Sequence, residues 1–144
     1  MNYEELMTKM ELSELVDSIA TSGDEKRLDD MVNCYTDDAE IVVYGLRGNE
    51  EFHYSGKDEI RKNYRDLLGD YSTLYHHNGQ KKFMIDGDRA EGNVYCQEFL
   101  IHTYKSGISN RLIQGVDYCD EFVKENGSWL VKNRKAYVRW IEER

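Results

Sequence analysis

The chain has 144 residues, of which 40% are hydrophobic and 33% are charged, and its formal net charge at pH 7 is −9. This length and composition predict one globular domain, residues 1–144, and exclude a disordered or fibrous chain. The acidic balance argues against nucleic-acid binding, because a protein that binds DNA or RNA needs basic residues to neutralise the phosphates.

The sequence also bears on membranes and compartment. No segment approaches the roughly 18 consecutive apolar residues of a membrane span, so we expect no membrane association. The acidic N-terminus lacks the apolar core of a signal peptide. Three cysteines without CxxC spacing, Cys34, Cys96 and Cys119, are typical of a reduced protein, and we therefore expect a cytoplasmic location.

The first half of the chain has the spacing of helices. Apolar residues recur at helical intervals up to Ile19, and Gly23 predicts the end of this first helix. A second helix is expected to begin at Asp24, whose side chain would cap its N-terminus. Its apolar face would carry Leu28, Met31, Val32 and Tyr35. Ser55 and Asp58 resemble a capping box and predict the start of a third helix.

The second half has the pattern of strands. Strands are predicted at 39–44, 73–78, 82–85, 90–104, 111–124 and 129–141, with a short paired strand inside 48–56 and tight turns at 86–88, 105–107 and 125–127. Helices followed by long antiparallel strands indicate an α+β fold. Strands of this length must bend to cover one core. We therefore expect a cone-shaped barrel, a strongly curved antiparallel sheet wrapped around N-terminal helices, with an apolar cavity for a small hydrophobic molecule.

Several segments are typical of one known family. They are 23–28 (GDEKRL), 35–40 (YTDDAE), 75–77 (YHH), 84–90 (MIDGDRA), 126–129 (NGSW) and 137–140 (YVRW). With the order helix, helix, strand, helix and long curled sheet, they resemble the SnoaL-like branch of the nuclear transport factor 2-like superfamily over nearly the whole chain. The resemblance implies the cystatin-like fold and a homodimer or homotrimer formed through the outer face of the sheet. Tyr95, Phe99 and Ile101 are the apolar residues expected on that face.

Within that branch the chain is similar to lyases such as scytalone dehydratase and bile-acid 7α-dehydratase, which use no cofactor. This resemblance implies catalytic roles for Asp24, for His76 and, in the last strand, for Arg139. A tyrosine of the first strand lines some of these pockets, and Tyr44 lies near that position. These lyases also carry a Tyr or Lys one to five residues before the Asp, whereas positions 19–23 here contain neither.

A histidine and an aspartate are suited to proton transfer if they meet in an apolar cavity. Histidine titrates near neutral pH, and a carboxylate can orient its ring and support its charged form. Successive strand residues face opposite sides, so only one of His76 and His77 can face the cavity, and Leu74 favours His76 because it shares its face. If Asp24 did not contact His76, it would serve only as a helix cap.

The residue pattern of the predicted strand 90–104 does not show which of its faces is inward. Its even positions are the more apolar near its start and its odd positions near its end, so a bulge midway would switch the faces. Glu98 and His102 are accordingly expected at the rim of the cavity or at an oligomer contact.

Arg139 needs a partner, because burying a lone charge is costly. An ion pair with Asp24, Glu98 or Asp117 is the structural alternative to binding an anion. Tyr118 and Trp140 are expected to line the cavity, although aromatic residues at this spacing are also common in plain cores. The four histidines show no ligand spacing, so no metal site is predicted.

Together these features predict a cofactor-independent lyase, a dehydratase-type enzyme for a small or steroid-sized hydrophobic substrate. A non-catalytic small-ligand-binding or interaction module of the same fold is the alternative, favoured by the missing Tyr or Lys before Asp24. An isomerase is a further alternative, because proton abstraction alone does not separate it from a lyase.

Overall fold

The computed structural model describes all residues from 1 to 144. The helices are α1 (Tyr3–Asp24), α2 (Leu28–Val32) and α3 (Lys57–Asp70). The strands are β1 (Tyr35–Tyr44), β2 (Glu50–Ser55), β3 (Thr73–Asp86), β4 (Arg89–Thr103), β5 (Ser109–Glu125) and β6 (Ser128–Glu143). None of the three helices combines the length and the apolar character that crossing a membrane requires.

The six strands form one sheet in the order β2-β1-β6-β5-β4-β3. All neighbours are antiparallel except β1 and β6, which run parallel. The strands from β3 to β6 are 14 to 17 residues long. Register shifts interrupt the β3–β4 pairing between Asn78 and Lys81 and the β5–β6 pairing between Gly115 and Val116, where Arg139 of β6 is the extra residue. Bulges of this kind bend strands and increase their twist, which lets the sheet curl around the helices as expected.

The main core lies between the inner face of the sheet and the helices. α1 contributes Leu12, Val16 and Ile19, all nearly inaccessible to solvent. They pack in one cluster with side chains of α2, α3 and every strand from β1 to β6 except β2. The cluster includes Met31, Ile60, Leu74, Val94, Phe122 and Val131. The helices thus fill the curled sheet on one side and leave the remaining interior for a cavity.

The first helix ends later than the sequence pattern indicates. α1 continues through Gly23 to Asp24, so Asp24 is its last residue and does not cap α2. Gly23 is buried, and a Cβ there would lie 3.5 Å from the sulfur of Met31. A glycine costs a helix interior about 1 kcal/mol, and this glycine lies where α1 packs closely against Met31 of α2. The chain turns instead at Lys26, which has a positive φ of 58°.

Two other local predictions are corrected. Tyr35, expected on the second helix, begins β1, and its side chain is fully buried. The capping box is absent, because Gly56 occupies the N-cap of α3 with a φ of 86° and no side chain caps the helix. Because Tyr35 belongs to β1, the short helix α2 ends at Val32. The turn before α3 depends on the positive φ of Gly56, a backbone conformation that favours glycine.

β4 keeps one register along its whole length against β5. Its even positions face inward throughout, and the buried residues are Ala90, Gly92, Val94, Cys96, Glu98 and Leu100. The predicted bulge midway along this strand is therefore wrong. The extra residues lie in β3 and β6 instead, and the unbroken alternation of β4 points Glu98 into the interior.

Candidate functional site

A cavity of about 470 Å³ lies between the inner face of the sheet and α3. Its walls are largely apolar and include Ile41, Val43, Leu100, Leu112, Val116 and Val138. Four polar side chains reach it from the strands, namely His76, Glu98, Gln114 and Arg134. Small-molecule sites typically have volumes of about 300–1,000 Å³ and a few convergent polar groups. The cavity thus has the size and lining of a small-ligand site.

Asp24 and His76 meet at the wall of this cavity. Asp24 Oδ1 lies 2.5 Å from Nδ1 of His76, and Asp24 Oδ2 accepts a hydrogen bond of 2.9 Å from the backbone N–H of His76. The two contacts fix both the strand position and the ring orientation. With Nδ1–H bonded to the carboxylate, Nε2 is left as the free basic atom of the neutral imidazole.

The surroundings of His76 favour its charged form. Burial by itself lowers the pKa of His76, but the hydrogen bond to Asp24 and the negative charges of Glu98 and Asp24 outweigh burial. The net effect raises the pKa of His76 above its ordinary value. The arrangement can therefore accept a proton at Nε2 and hold the resulting imidazolium.

Glu98 is the nearest group on the other side of the ring. Its Oε1 lies 3.6 Å from Nε2 of His76, and the residue is only 7% exposed. The hydroxyl of Tyr118 donates to Oε1, and Nε2 of Gln114 donates to Oε2 at 2.7 Å. Glu98 was expected at the rim of the cavity or at an oligomer contact, and it lies inside instead. The regular alternation of β4 could have placed it inside, since Glu98 lies two residues from both Cys96 and Leu100.

A buried ion pair lies beside this network. Arg134 donates from Nε and Nη2 to the two oxygens of Asp120, each at 2.9 Å. Arg134 is 5% exposed and Asp120 is 2% exposed. The guanidinium also lies 4.0 Å from the centre of the Tyr118 ring, a cation–π contact. Sequence reasoning missed this pair, and the signal for it was an Arg and an Asp at inward positions of adjacent strands.

Tyr118 is the one predicted substrate-binding residue that lines the cavity. Burial, and then the charge of Glu98, raise the pKa of Tyr118 well above its ordinary value. Its hydroxyl consequently stays protonated and remains a donor to Glu98.

Tyr44 lies on the outer face of the sheet, away from its expected position. Ile41 and Val43 of the same strand line the cavity, so alternation turns Tyr44 outward. Its ring stacks on Tyr137, with 4.8 Å between the ring centres. The predicted position of Tyr44 inside the cavity is therefore corrected.

Arg139 and Trp140 also lie outside the cavity. The register shift at Gly115 leaves Arg139 without a pairing partner on β5 and turns Trp140 outward. Arg139 donates to Asp117 at 2.7 Å and is exposed, so the structural ion pair is the alternative that the structure contains. The indole of Trp140 covers Gly115, where a Cβ would lie 2.1 Å from its nitrogen.

Other candidates lie at the edges of the site. His77 is exposed on the opposite face of β3 from His76. His102 lies near the end of β4, with Nδ1 3.2 Å from the backbone oxygen of Asp70. No three His, Cys, Asp or Glu side chains are grouped so that they could hold a metal ion, and all three cysteines are free.

The chain is similar to several known proteins. An uncharacterised protein of Mycobacterium tuberculosis strain H37Rv is 25% identical over 130 residues, which cover 90% of this chain and 84% of the relative. The solved structure of a protein of Novosphingobium aromaticivorans, provisionally named a scytalone dehydratase, superposes with a TM-score of 0.80. It is 20% identical, and the match covers 99% of this chain and 91% of that one.

A hexachlorocyclohexane dehydrochlorinase, LinA type 2, superposes with a TM-score of 0.76 at 15% identity, covering 97% of this chain and 90% of that one. At these identities the structural matches establish the fold alone. The model of the SnoaL-like domain matches residues 4–135, which is most of the chain. The chain therefore belongs to the SnoaL-like domain family.

Proposed function

We propose that this protein is a cofactor-independent lyase that carries out a dehydratase-type elimination on a hydrophobic small molecule. The observation that carries the proposal is the contact of Asp24 with Nδ1 of His76, which leaves Nε2 free at the wall of a largely apolar cavity. The similarity in fold to proteins named as a scytalone dehydratase and a dehydrochlorinase supports the same class of chemistry.

In this mechanism Nε2 of His76 removes a proton from a carbon next to an activating carbonyl. The electron pair of the broken C–H bond forms the C=C bond, and the hydroxyl on the neighbouring carbon leaves. His76 then returns the proton to that hydroxyl, so that water is the second product. Asp24 holds the ring and stabilises the imidazolium throughout.

Arg134 replaces Arg139 as the arginine of the proposal. It lines the cavity, whereas Arg139 lies outside. Nε and Nη2 of Arg134 bond to Asp120, which leaves Nη1 to donate to a substrate oxygen. Developing negative charge on the carbonyl oxygen would be stabilised there.

The test is a panel of β-hydroxy ketones and β-hydroxy thioesters that carry one to four rings, each with and without an amino group. Dehydration is followed by the absorbance of the conjugated product and by ¹H NMR. We expect His76→Ala to lower the rate on the preferred compound by about 10²–10⁴-fold, the usual contribution of a general base. His77→Ala is the matched control, because it removes the neighbouring histidine from the opposite face of β3. An unchanged rate in His76→Ala, or no dehydration of any compound, contradicts the proposal.

One observation favours an isomerase as a second candidate. Glu98 lies 3.6 Å from Nε2 of His76, so two proton carriers stand side by side and a proton could return to a different carbon. Reaction in D₂O separates the two functions. An isomerase incorporates deuterium into a product of unchanged composition, whereas a lyase releases water.

The non-catalytic alternative remains distinct from both enzymes. A binding module would retain a ligand in the same cavity without turnover, and the lack of a Tyr or Lys at positions 19–23 supports it. If every compound that binds exchanges deuterium at carbon no faster than it does in buffer alone, the binding module is favoured over either enzyme.

A further inference from the structure

We infer that the ligand of this cavity is a hydrophobic molecule that carries a positively charged amine, held by Glu98. This inference concerns the same cavity as the proposed lyase and adds the class of its substrate. It rests on the charges of the side chains that line the cavity and on the position of Glu98 beside the base.

The buried charges of the site sum to a negative value. Arg134 and Asp120 neutralise each other through their paired contacts. The remaining buried charges are the carboxylates of Asp24 and Glu98 and the imidazole of His76. With His76 protonated this group carries one net negative charge, and with His76 neutral it carries two. The interior therefore has an uncompensated negative charge in either state.

Glu98 carries the accessible part of that charge. Its two protein hydrogen bonds come from Tyr118 and Gln114, which are neutral donors. The imidazolium form of His76 approaches it to 3.6 Å, which is longer than a hydrogen bond. Arg134 lies over the ring of Tyr118 and is paired with Asp120. A buried carboxylate at the wall of an apolar cavity, without a Lys or Arg partner, attracts a cation more strongly than an exposed one, because water screens its charge less.

The other residues that line the cavity also favour a positively charged ligand. Asp66 and Asp70 of α3 are exposed side chains at the cavity, and neither belongs to an ion pair. Phe52, Tyr54 and Tyr64 line the cavity as a chain of rings with 6.2 and 6.3 Å between successive ring centres. Aromatic rings attract cations, and no positive side chain other than Arg134 and His76 borders the space.

A positive charge on the substrate also suits the chemistry of the base. Negative charge develops on the substrate when His76 removes a proton from carbon. Glu98 lies next to Nε2 and would oppose that charge in a neutral substrate. An ammonium group bound to Glu98 places a positive charge beside the reacting carbon and removes this opposition.

The experiment compares three probes of equal length, 4-phenylbutylamine, 4-phenylbutanol and 4-phenylbutanoate, by isothermal titration calorimetry at pH 7.5. We expect the amine to bind roughly tenfold more tightly than the alcohol, and the carboxylate more weakly than both, because a hydrogen bond to a charged group is stronger than a neutral one. Equal affinities for amine and alcohol, no binding of the amine, or tighter binding of the carboxylate would overturn the inference.

Glu98→Gln keeps the size of the side chain and removes its charge. We expect the variant to lose the preference for the amine and to keep its affinity for the alcohol. Glu91→Gln is the control, since it removes the same charge from an exposed outward position of the same strand. If Glu98→Gln fails to fold, the ranking of the three probes by the unmodified protein decides the question. The titration measures binding without turnover, so its failure leaves the proposed elimination untouched and is distinguishable from a failure of that proposal.

Discussion

His76 and Glu98 occupy directly opposite positions on β3 and β4, and Nε2 of His76 lies 3.6 Å from Oε1 of Glu98. Opposite residues of an antiparallel pair share a face of the sheet, so the register alone places both side chains at the cavity. A base and a carboxylate are thus positioned by backbone pairing and not by a loop. Pre-organisation of this kind is what proton transfer in a cavity requires.

The pKa of His76 should lie above the ordinary histidine value of 6.5, because the contacts with Asp24 and Glu98 outweigh burial. A general base must be neutral, so kcat/KM should rise with pH through this raised pKa. Asp24→Asn should lower the pKa and move the rising limb to lower pH. NMR titration of the imidazole, with the spectrum of His76→Ala to assign its signal, measures the shift. A pKa at or below 6.5 in the unmodified protein would contradict this reading.

The free energy of unfolding should depend strongly on Arg134 and weakly on Arg139. Arg134→Met leaves Asp120 buried without a partner, and breaking a buried pair costs about 3–5 kcal/mol. Arg139→Met breaks an exposed pair with Asp117, also between β5 and β6, and should change stability little. Urea unfolding of both variants provides the comparison. Similar losses of stability in the two variants would contradict the prediction that the buried ion pair contributes more to stability than the exposed one.

Tyr118→Phe should destabilise the protein by about 1–3 kcal/mol, because Glu98 loses a donor while it stays buried. The phenylalanine ring still covers the guanidinium of Arg134, so the effect reports the hydroxyl group. Tyr95→Phe is the control, since Tyr95 is exposed on the outer face. Urea unfolding of the two variants gives both values. Equal stability of Tyr118→Phe and the unmodified protein would mean that another donor replaces the hydroxyl.

Self-association is expected through the outer face of the sheet. Tyr75, Tyr95 and Trp140 are exposed there, while Phe99 and Ile101 are half-buried among them. Exposed apolar groups in one region favour an interface between copies. Light scattering should give the mass of a dimer or trimer, and the double change Tyr95→Ala and Trp140→Ala should lower it. Tyr3→Ala, which removes an exposed ring from α1, is the control. A monomeric mass for the unmodified protein would rule this expectation out.

The order of the elements was predictable because their signals are local. Alternation along the strands and the tight turns between them indicated β4, β5 and β6 within a few residues. β3 was expected as two strands, 73–78 and 82–85, and is one strand with a register shift between Asn78 and Lys81. The position of Asp24 beside His76 was not indicated by local pattern. It was implied by the resemblance to lyases, and it holds although Asp24 ends α1 and does not begin α2.

The errors at Trp140 and Glu98 both concern the face of the sheet on which a side chain lies. The face of a residue depends on every bulge between it and the core, and a bulge leaves little trace in sequence. Trp140 follows such a shift and turns outward. Glu98 follows none and faces inward, where its polarity is compensated by Tyr118 and Gln114, which are distant in sequence. Tertiary partners of this kind cannot be identified from the composition of one strand.

The position of Asp24 at the end of α1 has an electrostatic consequence. The carbonyl groups at the C-terminus of a helix carry a partial negative charge, equivalent to about half an electron. We expect an imidazolium bonded to the last residue of α1 to be stabilised by that partial charge as well as by the carboxylate, whereas the start of a helix would repel it. Unwinding the final turn of α1 would remove both effects together, so the integrity of this turn and the basicity of His76 should change in parallel.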